Sequence, residues 1–282
     1  MKFNLNSAQI FVPDALPPEE ALARTTHLAV GAHQDDLEIM AIDGILQCFQ
    51  RADKWFTGVV VTNGSGSLRD GLYQDYTDDE MRAVRVKEQK KAAILGEYAA
   101  QVFLEYPSAA VKDRTDARPA EDLALLLKAA APDVVYTHNP ADKHDTHIGV
   151  LLKVLDALWR LPPDQRPGQL YGCEVWRDLD WLLDEDKIVF DTSAHENLQA
   201  ALVEVFDSQI SGGKRYDLAT MGRRRANATY HASHGLDVMT GAAFAVDLTP
   251  LVATPGQDIE TFIQEKIARF AGDVRLRFRR VG

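Results

Sequence analysis

Two groups of imidazole and carboxylate side chains, far apart in the chain, carry the residue types that hold a metal ion and handle a proton. The first is Ala32-His33-Gln34-Asp35-Asp36-Leu37-Glu38, directly after the apolar run Leu28-Ala29-Val30-Gly31. The second is His138-Asn139-Pro140-Ala141-Asp142-Lys143-His144-Asp145-Thr146-His147, after Asp133-Val134-Val135-Tyr136. Each falls where a buried strand should hand over to a helix, the edge of an open α/β sheet at which ligands collect. Capping a helix requires one side chain. The first loop concentrates far more charge than that, and its carboxylates repel one another unless a cation or proton intervenes. His33, Asp36 and His147 together make an N/O/N set that leaves one coordination position open for water, the pattern of a catalytic zinc site. A water held there has its pKa lowered to about 7, and Asp35 stands beside the ligands as the candidate base. The Gly64-Ser65-Gly66 turn after Val60-Val61-Thr62-Asn63 lacks the third glycine of a dinucleotide motif. It reads as a flexible turn exposing backbone N–H groups near the site.

The elements that must position these residues alternate. Strand patterns cover Thr26–Gly31, Phe56–Thr62, Gln101–Glu105, Asp133–Thr137 and Gln169–Trp176, with helical patterns over Asp36–Arg51, Asp78–Leu95, Glu121–Ala131 and His147–Leu161. Such alternation predicts a mostly parallel sheet with helices on both faces. Thr77-Asp78-Asp79-Glu80 matches a capping box, and Gly96 is the stop signal of the same helix. Residues 1–25 read as an irregular arm with a helical turn near Glu19–Ala23. Beyond residue 177 the alternation weakens into a C-terminal elaboration: a short strand at Ile188–Asp191, a helix at His195–Phe206, a strand at Gly241–Leu248 and a last helix at Asp258–Phe270. Residues 26–282 are expected to form one domain. Residues 211–235, with Arg223-Arg224-Arg225, are the basic segment of an acidic protein, either a solvated surface or a cationic lining for an anionic substrate group.

With 282 residues, 46% of them hydrophobic and 26% charged, the chain can build a large core and is not a disordered segment. A formal charge of −11 opposes binding to nucleic acid or an anionic membrane. No apolar run reaches the length of a membrane span. Cys48 and Cys173 are too few for a disulfide framework, and the first residues lack the apolar core of a signal peptide, so a cytoplasmic location is expected.

His33-Gln34-Asp35-Asp36 resembles the His-Pro-Asp-Asp signature of the PIG-L/LmbE family of zinc-dependent N-deacetylases, which includes enzymes acting on N-acetylglucosaminyl conjugates. The resemblance extends to Thr62-Asn63-Gly64, to Arg85-Val86-Lys87-Glu88 with Ala92, Ala93, Leu95 and Gly96, and to His144-Asp145-Thr146-His147. It covers residues 26–160. It implies a Rossmann-like fold, His33, Asp36 and His147 as metal ligands, Asp35 as general base, and His144 as the imidazolium that steadies the oxyanion or protonates the leaving amine. It also implies Arg85 as a substrate contact, with Asn63 and Gly64 at the substrate-binding edge, and assembly as a homo-oligomer. Three departures stand out. Gln34 replaces proline, and Thr146 stands where the family has the aspartate that orients the catalytic histidine, leaving Asp142 or Asp145 for that task. The late His-X-Ser-Gln element reads Phe206-Asp207-Ser208-Gln209.

The expectation is therefore a metal-dependent hydrolase that removes an acetyl group from a small amino-sugar conjugate. Zinc is the expected ion, and Fe2+ or another divalent ion fits the same donors. The rival is a metal- or sugar-nucleotide-binding protein that keeps the fold without turnover. A redox enzyme using Fe2+ ranks last because it gives Asp35 no task.

Overall fold

Leu28-Ala29-Val30 can be apolar without alternation only if both faces of their strand are covered. In the computed structural model, which describes residues 1–281, that strand is buried along its whole length. It is β2 (His27–Gly31) of one eight-stranded sheet with β1 (Gln9–Phe11), β3 (Phe56–Thr62), β4 (Ala100–Tyr106), β5 (Val134–His138), β6 (Gln169–Cys173), β7 (Lys187–Asp191) and β8 (Ala242–Asp247). The spatial order is β1-β4-β3-β2-β5-β6-β8-β7. Strands β4, β3, β2, β5 and β6 run parallel. Strand β1 is antiparallel to β4, and β8 is antiparallel to both β6 and β7.

Among the described residues twelve α-helices surround the sheet: α1 (Pro18–Ala23), α2 (Asp36–Met40), α3 (Ile42–Cys48), α4 (Asp78–Leu95), α5 (Ser108–Lys112), α6 (Arg118–Ala130), α7 (Asp145–Arg160), α8 (Glu196–Glu204), α9 (Asp207–Ile210), α10 (Tyr216–Tyr230), α11 (Thr249–Ala253) and α12 (Ile259–Val281). The core has two layers. Leu28, Val30, Val59 and Val61 pack with Leu126 and Leu155 on one face. Ala29, Phe56, Val60 and Tyr136 pack with Leu37, Ile42 and Ile45 on the other. Each such large apolar side chain contributes about 1.5–3 kcal/mol on full burial. No helix among the described residues is long and apolar enough to cross a membrane.

The chain leaves β2 toward β3 on one side, while β5 lies on the other. The loops after β2 and β5 therefore diverge and open a crevice at their carboxyl ends. Both sequence clusters sit on those two loops.

Several elements differ from the sequence-based expectation. The predicted helix Asp36–Arg51 is two helices, broken at Ala41, which leaves the helical region (φ −104°, ψ 25°). The break lets α3 press Gly44 onto Tyr136, where an added Cβ would lie 2.6 Å from the ring. The N-terminal arm supplies β1, an edge strand three residues long. A strand so short leaves no readable periodicity. The basic segment contains helix α10, and α12 runs eleven residues past Phe270 to Val281. The capping box of α4 forms as read: Thr77 Oγ1 accepts from the Glu80 N–H, and Glu80 Oε2 accepts from the Thr77 N–H.

Candidate active site

The turn after β2 carries three site residues because it is unusually tight. Asp35 adopts a left-handed conformation (φ 94°, ψ −29°), which a non-glycine residue rarely holds and which is strained by order 1–3 kcal/mol. Its N–H is held by Gln89 Oε1 at 3.2 Å, and its carboxylate lies 3.5 Å from the guanidinium of buried Arg85. Arg85 also donates to the backbone carbonyl of Gln34. The turn thus presents Asp35 and His33 to the crevice while starting α2 at Asp36.

His33 Nδ1, Asp36 Oδ2 and His147 Nε2 form a nearly equilateral triangle. The edges are 3.3 Å between His33 and Asp36, 3.3 Å between His33 and His147, and 3.4 Å between His147 and Asp36. A tetrahedral ion with bonds of about 2.0–2.1 Å holds its ligands about 3.3–3.4 Å apart, so these donors fit zinc without rearrangement. Two imidazole nitrogens facing each other and a carboxylate need a shared proton or cation between them, which an ion at the centre supplies. Among the described residues the triad is one of two acid and imidazole groupings compact enough for an ion, the other being His138, Asp142 and His147.

Sequence reasoning assigned no task to His138, although it is the last residue of the apolar run that becomes β5. Its Nε2 accepts the Ala32 N–H at 2.9 Å, so that lone pair is not free for a metal. The ring stacks on His147 at 3.8 Å between centroids. Burial and the His147 charge push its pKa down, which keeps it neutral. His138 thus pins the loop after β2 and backs the His147 ring.

Asp142 answers the question of orientation in an unexpected way. Its Oδ2 lies 3.4 Å from His147 Nδ1, on the far side of the ring from the triad, and also accepts the Trp176 N–H at 3.2 Å. Its Oδ1 accepts the backbone N–H of His144 at 3.0 Å. The carboxylate therefore backs the ring of a candidate ligand, the arrangement that in metal sites fixes the tautomer and raises ligand basicity. It does not orient the His144 ring. Asp145 is exposed at the start of α7. The His144 ring instead caps α7, its Nδ1 accepting from the Thr146 N–H at 3.3 Å. That leaves the proton of the neutral ring on Nε2. Burial and the neighbouring His147 and His33 push the pKa of His144 down, against the raised value an imidazolium needs.

Electrostatics separates the two adjacent aspartates. Burial opposes the charge of Asp36, but His147, His138 and His33 hold its pKa far below the usual carboxylate range. Burial pushes Asp35 up to about 7, with Arg85 opposing. Burial also disfavours the imidazolium of His147, yet Asp36 and Asp142 outweigh it and raise its pKa.

His33, Asp35, Asp36, Arg85 and His144 line one cavity of about 570 Å³. Asn63, Gly64 and Ser65 to Ser67 form one wall, with Gly64 at φ +69°, where an added Cβ would strike Gln34 Oε1 at 2.3 Å. Gln34, in the family's proline position, thus packs against the glycine turn. Trp176 and Tyr216 stand edge to face at 5.9 Å on the opposite side. Lys112 and Lys214 reach the cavity, with Lys214 Nζ 5.3 Å from the Trp176 ring. Neither lysine makes an ion pair among the described residues.

The arginine run does not line this cavity, so of the two readings of the basic segment the cationic lining by these arginines is not the one the structure has. Arg223 donates to the Val175 carbonyl, and Arg225 pairs with Glu196. Buried Arg224 donates to the Glu38 carbonyl at 2.7 Å and to Gln199 at 3.0 Å. Of the basic segment, Lys214 and Tyr216 reach the cavity instead. Phe206, at the late histidine position, is in the core, while Ser208 donates to Glu88 and Gln209 lines the cavity.

The fold and the triad define an α/β protein with three donors at metal-binding spacing at the switch point of its sheet. Residues 28–158 match the family model described as PIG-L: GlcNAc-PI de-N-acetylase, so that stretch of the chain is similar to that family. No curated protein matches the chain in sequence. A conserved protein from Thermus thermophilus shares the fold with a TM-score of 0.61 and 18% identity, over 83% of this chain and 99% of that one. The N,N'-diacetylchitobiose deacetylase from Pyrococcus horikoshii gives 0.57 and 17%, over 78% and 83%. A 4-carboxy-2-hydroxymuconate hydratase from Pseudomonas putida gives 0.57 and 15%, over 79% and 96%. At such identities the likeness carries the fold alone, and the hydratase shows that the fold supports more than one reaction.

Proposed function

We propose that the protein is a metal-dependent N-deacetylase acting on a small amino-sugar conjugate, with zinc as its ion. The observation that carries this reading is the triangle of His33, Asp36 and His147 donors at tetrahedral spacing, with Asp35 beside His33 and Asp36 on the cavity wall. A divalent cation bound there supplies Lewis acidity and a water of lowered pKa. Asp35 takes the proton of the attacking water; burial pushes its pKa up to about 7, and a neighbouring cation would lower it and favour the ionised base. Arg85, spent on Asp35 and the Gln34 carbonyl, positions that base. His144 donates from Nε2 to the oxygen on which charge develops. The C–N bond breaks, Asp35 returns its proton to the departing nitrogen, and acetate and free amine leave. The Asn63–Gly64 wall and Trp176 bound the space for the sugar, and Lys112 and Lys214 favour an anionic group beyond it. Both cysteines are unpaired and buried, which suits a reducing cytoplasm.

The test is mass-spectrometric: zinc-loaded protein is incubated with N-acetylhexosamines and their phosphorylated and carboxylated conjugates, and loss of acetyl is followed. Release of amine and acetate, abolished in Asp35→Asn with metal retained, is the expected result. Metal binding without turnover on any substrate would favour the non-catalytic rival.

A further inference from the structure

A residue in the left-handed region stays there only when the surrounding structure over-determines it. The Asp36 N–H returns to the His33 carbonyl at 3.3 Å, and φ 94°, ψ −29° at Asp35 are close to those of the third residue of a type II turn, a position that favours glycine. Flipping the Gln34–Asp35 peptide would give the type I turn, in which that residue has an ordinary negative φ. Helix α4 opposes the flip. Arg85 donates to the Gln34 carbonyl, and Gln89 Oε1 accepts the Asp35 N–H at 3.2 Å. Those two groups belong to one trans peptide unit and point in opposite directions from it. Arg85 and Gln89 lie four apart on one face of α4, so a single helix grips both sides of that peptide plane. Turning the plane over would break both contacts at once.

The grip works only if Gln89 faces the right way. A glutamine amide presents an oxygen on one side and two donors on the other, and only the oxygen can hold an N–H. Its direction is set further out. Gln89 Nε2 donates to Glu38 Oε1 at 2.7 Å, and the Tyr98 hydroxyl donates to the same oxygen at 2.8 Å. All three side chains are buried, so solvent does not compete for these bonds. Glu38 Oε1 accepts, Gln89 therefore turns its donors outward, and its oxygen is left for Asp35.

We infer that Gln89, aimed by Glu38 and Tyr98, is a positioning residue that selects the strained turn and so places the Asp35 carboxylate. The inference rests on the base role proposed for Asp35. The test uses the zinc-loaded full chain and two readouts: hydrogen exchange of the Asp35 amide, which needs no substrate, and steady-state kinetics. Gln89→Met keeps the length and removes the acceptor. Exchange at Asp35 should quicken at least about tenfold and kcat should fall about ten- to a hundredfold, the effect of orphaning one buried donor, with KM and zinc affinity close to the parent. Gln89→Asn keeps the amide but ends one methylene short and should behave alike, which carries the test if Gln89→Met does not fold. Gln89→Glu restores an acceptor and should lie nearer the parent in both readouts. Parental exchange at Asp35 in Gln89→Met or Gln89→Asn would overturn the inference, as would parental kcat. So would Gln89→Glu faring no better than Gln89→Met, which would make Gln89 a packing residue. A parent that deacetylates no substrate would defeat the reaction proposed above, and the exchange rates would still decide whether Gln89 holds the turn.

Discussion

Asp142→Asn should weaken metal binding even though Asp142 touches no metal. Its carboxylate lies 3.4 Å from His147 Nδ1, behind the ring that offers Nε2 to the ion. A full charge pair at that distance interacts by about 5 kcal/mol at an effective dielectric of 20, an upper bound for a ligating imidazole that is only partly cationic. Asparagine keeps the shape and can still accept from the His144 N–H. Its amide, however, would aim donors at His147 Nδ1–H and the Trp176 N–H. Loss of such a carboxylate backing typically weakens binding 10–100-fold, about 1.4–2.7 kcal/mol. The assay is competition for zinc between metal-free protein and a chromophoric chelator, and it needs no substrate. The pH dependence has a definite sign. Asp142 raises the pKa of His147, so its removal eases proton competition. The gap between variant and parent should therefore be widest at alkaline pH and narrow in acid. Asp145→Asn, at an exposed position, should bind zinc as the parent does. Equal affinity in Asp142→Asn and parent, or an equal loss in Asp145→Asn, would refute the assignment.

Asp35→Asn should retain zinc and lose about two or more decades of kcat, read by metal analysis beside turnover; near-parental turnover would place the base elsewhere. His144→Ala should lower kcat while sparing zinc affinity, because its ring caps α7 and offers Nε2 to the cavity rather than to the triad. Lys112→Ala with Lys214→Ala should raise KM for a phosphorylated or carboxylated substrate, more at low salt than at high, and leave a neutral one unchanged. Glu38 offers a stability test. Burial pushes its pKa up to about 8 from an ordinary value near 4.5. The protonated form therefore supports folding fully in acid, and that support is lost as pH rises toward 8. Glu38→Gln cannot ionise and keeps an acceptor for Gln89 and Tyr98, so its Tm advantage over the parent should grow from pH 5 to pH 9. A constant difference across that range would show that Glu38 does not carry the shift.

The residues of the triad were legible in the sequence because metal chemistry restricts residue types, and the apolar runs before them announced strand ends. The parallel strands were legible for a related reason: a strand covered on both faces must be apolar throughout, as Val59-Val60-Val61 is. What the sequence could not fix was anything decided between segments distant in the chain. The backing of His147 by Asp142 depends on how the loop after β5 folds over α7, and no spacing rule distinguishes that from a carboxylate aimed at His144. The insertion of β8 between β6 and β7 depends on pairing across the whole C-terminal region. The arginine run could be read as a solvated surface or as a substrate contact because charge is visible in sequence and direction is not. Only in the folded protein does Arg224 turn inward to the Glu38 carbonyl, leaving the cavity to Lys112 and Lys214. Local chemistry and periodicity belong to the sequence, whereas partners across the fold belong to the packing, since each is chosen by the burial of many other side chains at once.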